Sequence, residues 1–219
     1  MPLTLYGHPF SSYTQKVLIA LYENATPFGF HCISPDHPEN TADWLARWPL
    51  RKFPVLVDGD KDVVETSIII EHLQQVHPGP ARLLPTDPAE ALEVRFMDRF
   101  FDLHVMDAAQ HAVDGAITGD ASKRRDGLVK SVAKLERSYA WLEARLAGKT
   151  WATGDQFTMA DCAAAPSLFY ADWVHRIPDD HQGLRAYRSR LLARPSFARA
   201  VDEARPYREL FPLGAPDRD

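Results

Sequence analysis

Four prolines, Pro78, Pro80, Pro85 and Pro88, fall within eleven residues, with Gly79 among them. Proline fixes φ and removes a backbone donor, so neither a helix nor a central strand runs through such a stretch. The stretch therefore reads as a linker between two pieces. The first piece reads as alternating strand and helix. Residues 2–6 predict a short strand that stops at Gly7-His8-Pro9. Ser11 or Ser12 starts a helix whose Val17, Leu18, Leu21 and Tyr22 share a face. Residues 28–33 predict a second strand and 40–48 a short helix. Val55 to Val57 and Val63-Val64 bracket the turn sequence Asp58-Gly59-Asp60. A last helix covers residues 66–76. The order is βαβ then αββα, for which a mixed sheet is the simplest arrangement.

Beyond the break the apolar period becomes helical. Leu92, Phe96, Phe100 and Leu103 recur at helical spacing. Leu128, Val132, Leu135, Tyr139, Leu142 and Leu146 step by four and three, which predicts a long amphipathic helix packed on neighbours. Thr158 and Asp161 can satisfy each other's backbone donors as a capping box with Asp in place of Glu or Gln. Arg194-Pro195-Ser196-Phe197 starts a further helix with proline in its first turn. The expected architecture is an α+β unit over residues 1–78, a linker over 79–88 and an all-helical unit over 89–219.

Composition narrows the function classes. Basic residues number 25 and acidic residues 30, and the densest positive spot, Lys123-Arg124-Arg125, reads as a solvated helix start. No nucleic-acid partner is expected. No apolar run approaches ~18 residues and no leader-like segment opens the chain, so a soluble cytoplasmic protein without a membrane partner is expected. Cys32 and Cys162 are far apart and neither belongs to a CxxC pair, which argues against a disulfide scaffold and a structural zinc site.

Two short segments carry chemistry. Lys52-Phe53-Pro54-Val55-Leu56 reads as a strand that begins at a proline. Glu65-Thr66-Ser67 puts an acid and two hydroxyls at a helix start. The backbone at Phe53 can pair with an extended peptide as an added strand. Glu65 can accept from an ammonium, and Thr66 with the helix N-terminus can hold a carboxylate. Such a pair suits a small peptide held by its backbone and its carboxylate.

These segments, with others, resemble the cytosolic glutathione S-transferases of the serine type, bacterial-like, over almost the whole chain. Leu18-Ile19-Ala20-Leu21 closes the first helix as in that family. Phe53-Pro54-Val55-Leu56 matches its cis-proline strand, and Glu65-Thr66 its acid-plus-hydroxyl pair. Leu83-Leu84-Pro85 matches its linker, and residues 154–161 its helical-domain capping motif. Arg194-Pro195-Ser196-Phe197 resembles its late helix. Two positions depart. Trp48-Pro49-Leu50-Arg51 stands where the family often has Asn-Pro-x-Gly, and Thr66 stands where it usually has serine.

The resemblance implies a thioredoxin-like N-terminal domain joined to an all-helical C-terminal domain. It also implies glutathione as co-substrate with no prosthetic group, a homodimer, and a detoxification reaction with a hydrophobic small-molecule electrophile. Lys52, Phe53, Pro54, Glu65 and Thr66 would bind glutathione. A hydroxyl that donates to the sulfur would favour its thiolate, the nucleophilic form. Ser11 is the first candidate, with Tyr6 and Ser12 as alternatives and Tyr13 a further one. No cysteine lies at 11–14, which favours addition or substitution over disulfide exchange. Phe10, Phe101, His104 and Trp173 are candidate walls of an electrophile pocket between the domains, with core packing as the alternative role of each, above all Phe101. His104, Asp107 and His111 share a helical face at i, i+3 and i+7, a weak ligand pattern, and no metal is expected. Competing functions on the same scaffold are a glutathione-dependent isomerase or peroxidase and a non-catalytic ligand-binding or interaction module.

Overall fold

A computed structural model describes residues 3–219, so Pro2 of the first expected strand lies outside the described residues. β1 (Leu3–Gly7) sits inside a four-stranded sheet ordered β2-β1-β3-β4. β2 (Phe28–Cys32) is parallel to β1, so the chain must cross over between them, and α1 (Ser12–Glu23) makes that crossing. β3 (Val55–Asp58) and β4 (Lys61–Val64) run antiparallel, joined through Gly59 at φ +59°. Strand geometry sends successive side chains to opposite faces. Leu5 and Leu56 therefore meet Val17, Leu18 and Leu21 of α1 and Ile69 and Leu73 of α3 (Thr66–Val76). Tyr6 and Val55 point the other way, onto Trp44 of α2 (Pro38–Arg47).

The helical unit begins at α4 (Pro88–Phe100), whose Asp87 cap accepts from the amides of Ala89 and Glu90, both at 2.9 Å. A π-helical turn (Phe101–Met106) leads into α5 (Asp107–Ile117). α6 (Ala121–Arg145) lies against α5 so closely that a Cβ on Gly127 would sit 2.3 Å from the His111 carbonyl oxygen. α7 (Met159–Val174) runs through the centre and is buried from Met159 to Trp173. Asp161 anchors its start. This carboxylate accepts from the amides of Thr158 at 2.9 Å and Ala152 at 2.8 Å, and from the Tyr187 hydroxyl at 2.7 Å. α8 (Gln182–Leu192), α9 (Pro195–Ala204) and a 3₁₀ turn (Arg205–Leu210) close the chain.

The α6 seam is buried at Leu135, Tyr139, Leu142 and Leu146. The α4 stripe differs. Ala91, Val94 and Met97 face the core, while Leu92, Phe96 and Leu103 face outward. Helical spacing was legible there, but the larger side chains occupy the outer face.

One buried ion cluster ties the two units together. Lys16 of α1 is enclosed, with its Nζ 2.7 Å from Asp98 and 2.8 Å from Asp102. It also donates to Ser67 Oγ at 3.0 Å, and Ser67 donates to Asp98 at 2.5 Å. Burial alone would lower the Lys16 pKa, but Asp98 and Asp102 outweigh it and hold the ammonium charged. Removing one member of such a cluster leaves uncompensated buried charge. Lys16→Met should therefore lower stability by about 3–5 kcal/mol in urea denaturation, and a loss under about 1 kcal/mol would contradict this reading.

Candidate functional site

Two adjoining cavities open where the sheet unit meets the helical unit. The first, ≈ 520 Å³, is walled by Phe53 and Pro54 on one side and by Glu65, Thr66 and Ser67 on the other, with Arg99 and Asp102 across from them. The second, ≈ 550 Å³, takes in Phe10, Ser11 and Ser12 together with α5 residues and Phe211. Tyr13, Lys52 and Phe53 line both. The cavities therefore share a wall, and one elongated ligand could span them.

The first cavity is built by a strand start and a helix start. The Phe53–Pro54 peptide is cis. The Phe53 amide and carbonyl have no backbone partner among the described residues. Lys52 is exposed, and its carbonyl accepts from Trp44 Nε1 at 2.9 Å, which fixes the loop ahead of the proline. Glu65 caps α3 at φ +68°, a left-handed backbone that costs a non-glycine residue about 1–3 kcal/mol. That conformation brings the Glu65 side chain to the cavity wall beside the first turn of α3. The first intrahelical bond of α3 runs from the Ile69 amide to the Glu65 carbonyl at 2.8 Å. The amides of Thr66, Ser67 and Ile68 precede it and have no intrahelical acceptor. They and the helix dipole favour a bound carboxylate. Arg51 holds φ +57° in the turn where the family pattern has glycine, which explains the glycine preference there.

Asp102 adds a second acid to this cavity. Burial pushes its carboxyl up, against the pull of Lys16. Sequence reading missed this cluster because a lysine on an amphipathic helix reads as solvent-facing. The available signal was the i, i+4 pair Asp98 and Asp102 on a helix with an apolar inner face.

The second cavity is built on the N-terminus of α1. Ser11 is its N-cap, and Ser11 Oγ accepts from the Thr14 amide at 3.3 Å. That acceptor role leaves the hydroxyl proton available for a ligand. The Gln15 amide bonds the Ser11 carbonyl at 2.9 Å, so the Ser12 and Tyr13 amides precede the first intrahelical bond. Ser12 lines the same cavity and is more deeply buried than Ser11. Tyr13 stands between the cavities. Its phenol is pushed well above the ordinary tyrosine value by burial and then by the Asp102 charge, so it stays a neutral donor.

The remaining expected residues sort clearly. Tyr6 lies beneath the sheet and donates its hydroxyl to Asp43, so it lines neither cavity. Phe10 lines the second cavity and packs edge-on to Tyr170 with ring centres 5.3 Å apart. Trp173 stands behind Phe10 at 6.2 Å and supports that wall without lining the cavity. Phe101 is fully enclosed against Tyr187 and belongs to the core. His104 is exposed beside Phe100, with ring centres 5.1 Å apart, and lies outside the cleft. Phe101 continues the inner stripe of Val94 and Met97, at i+7 and i+4 from them, and His104 lies beside Phe100 and next to the exposed Leu103. Of the histidine–aspartate pattern on this face, Asp107 and His111 both neighbour Lys134, whose Nζ lies 3.9 Å from the carboxylate and 2.8 Å from His111 Nε2.

Comparisons with known proteins agree with this architecture. Residues 5–81 match the glutathione S-transferase N-terminal domain, and residues 90–190 match the C-terminal domain. The uncharacterized GST-like protein YibF of Escherichia coli (strain K12) is 31% identical over 202 residues, covering 90% of this chain and 97% of that one. The stringent starvation protein A homolog of Coxiella burnetii is 26% identical, covering 92% of each. A Drosophila mojavensis glutathione transferase homolog, solved with bound glutathione, superposes with a TM-score of 0.82 at 20% identity, covering 98% of both chains. At that identity the likeness bears on the fold alone. Among the described residues, no helix is long and apolar enough to cross a membrane. Matched at both domains in the expected order and by a full-length relative, the chain belongs to the glutathione S-transferase family.

Proposed function

We propose that the chain binds glutathione across the two cavities and activates its thiol for attack on a small apolar electrophile. The observation that carries this reading is the shared wall of Tyr13, Lys52 and Phe53, which joins an ammonium-and-carboxylate site to a hydroxyl at a helix N-terminus. In this reading Glu65 accepts from the γ-glutamyl ammonium, with Asp102 adding negative charge nearby. Thr66 and the free amides of α3 hold the γ-glutamyl carboxylate. The Phe53 backbone pairs with the cysteinyl backbone, beside Pro54, and Lys52 supplies positive charge at the open rim. Ser11 donates to the sulfur, and the α1 dipole favours the thiolate. Catalysis then comes from proximity and thiolate stabilisation, without a prosthetic group. Phe10 and its neighbours provide an apolar surface for the electrophile, a partner class that suits a detoxification role.

Isomerase or peroxidase chemistry would use the same thiolate, because substrate choice lies in the second cavity and not in the fold. A non-catalytic carrier or interaction module is the second reading. Its support is the full-length relative named for stringent starvation and not for a transfer reaction.

A homodimer is the proposed assembly. Phe96 and Trp141 are both exposed, and Phe100 stacks on Trp141 at 4.3 Å. With Leu92 and Leu103 they form an outward apolar face on α4, the π turn and α6.

Three outcomes test these proposals. Ser11→Ala should lower conjugation turnover tenfold or more while glutathione affinity changes little, since a hydrogen bond to a charged group contributes about 1.5–3 kcal/mol. Unchanged turnover would move the role to Ser12 or Tyr13. Thr66→Ala should instead weaken glutathione binding about tenfold in calorimetry, and equal affinity would remove Thr66 from the site. Light scattering at micromolar concentration should give a dimer that Phe96→Glu with Trp141→Arg converts to monomer; a monomeric parent would contradict the assembly.

A further inference from the structure

Away from the cleft, at the far end of α3, three side chains converge on one atom. Asp58 closes β3, His72 lies on α3, and His77 is its C-cap residue. The C-cap backbone, at φ −127° and ψ 56°, leaves the helical path and swings the His77 ring toward His72. Nε2 of His72 and Nε2 of His77 each lie 2.8 Å from the same Asp58 Oδ2. All three ligand atoms fall within 4.8 Å of one another.

We propose that Asp58, His72 and His77 form a binding site for a divalent transition-metal cation such as Zn²⁺. Two imidazoles and one carboxylate are a donor set that a borderline-soft cation prefers, and they leave a fourth position for water. Tetrahedral bonds of ~2.0–2.2 Å put neighbouring donor atoms roughly 3.3 Å apart. The two carboxylate–imidazole spacings of 2.8 Å need to open by only about half an ångström. Two of the three stand beside core residues: Leu73, next to His72, and Leu56, two residues before Asp58, are both buried. Side-chain exposures of 15% for His72, 17% for Asp58 and 31% for His77 leave solvent a path to the donors. An aspartate at a strand end and two histidines five apart give no ligand motif in the sequence, and it is the C-cap break at His77 that brings its ring to the same carboxylate oxygen.

A bound ion would clip the C-terminal end of α3 to the β3–β4 hairpin. The N-terminal end of the same helix carries Glu65 and Thr66, so the site lies on the scaffold of the cleft and outside it.

The test is titration of tag-free, chelator-stripped full-length protein with ZnCl₂ by calorimetry, and with CoCl₂ by visible absorption. One equivalent of Zn²⁺ should bind, and Co²⁺ should give the intense bands of a four-coordinate ion. Loss of an outer-shell partner already costs ~10–100-fold in metal affinity, so Asp58→Asn and His77→Ala should each weaken binding at least tenfold. The His72→Gln/His77→Gln double variant, checked by circular dichroism, should lose both the binding and any zinc-dependent rise in melting temperature. No binding by the parent protein, or undiminished binding by the folded double variant, would overturn the proposal.

Discussion

A single buried ammonium sets the relation between the two units. Lys16 rises from α1 into a space where α3, α4 and the π turn meet, and its charge is satisfied only if Asp98, Asp102 and Ser67 arrive together. A buried lysine without partners would be strongly destabilising. The cluster therefore specifies how the helical unit docks as well as stabilising the docked state. Asp102 belongs at once to this cluster and to the wall of the first cavity. The cleft is thus not an accidental gap between domains. It is bounded by the same residues that fix their spacing.

Around that joint, each functional feature is supplied by a helix end. The N-terminus of α1 presents Ser11 and free amides to the second cavity, and the N-terminus of α3 presents Glu65, Thr66 and free amides to the first. Both ends attract negative charge. A ligand with a carboxylate at one end and an ionisable thiol further along would set one negative group at each of these two positive ends. The strained Glu65 backbone fits the same account, since such conformations persist where the surrounding structure over-determines them. Here the β4 strand before it and the α3 helix after it supply that constraint.

Features set by local chain chemistry were legible in the sequence. The proline break, the strand after Pro54, the Ser11 cap and the Glu65-Thr66 helix start depend on a few adjacent residues, and all appear where expected. Features set by helical phase were not. Phe101 and His104 are candidate walls by position along the chain, but Phe101 takes its alternative role in the core on the stripe of Val94 and Met97, and His104 lies on the exposed side. Tyr6 was read from its place at the end of β1, yet the two-residue period of the strand sends its hydroxyl to Asp43 under the sheet. Tyr13, which bridges both cavities, lacked any pattern that separates a cleft aromatic from a packing one. The outward stripe on α4 shows the same limit, because a correct period does not say which face the core takes.

The central claim is that the cleft binds glutathione and favours its thiolate. The most direct measurement follows the ultraviolet thiolate absorbance of glutathione bound to the full chain as pH is varied. The account predicts a midpoint below the ordinary thiol value of about 8.5, because the Ser11 hydroxyl and the α1 N-terminus stabilise the charged form. Bound glutathione that titrates at or above that value would contradict it and leave the cleft a carrier site without an activated nucleophile.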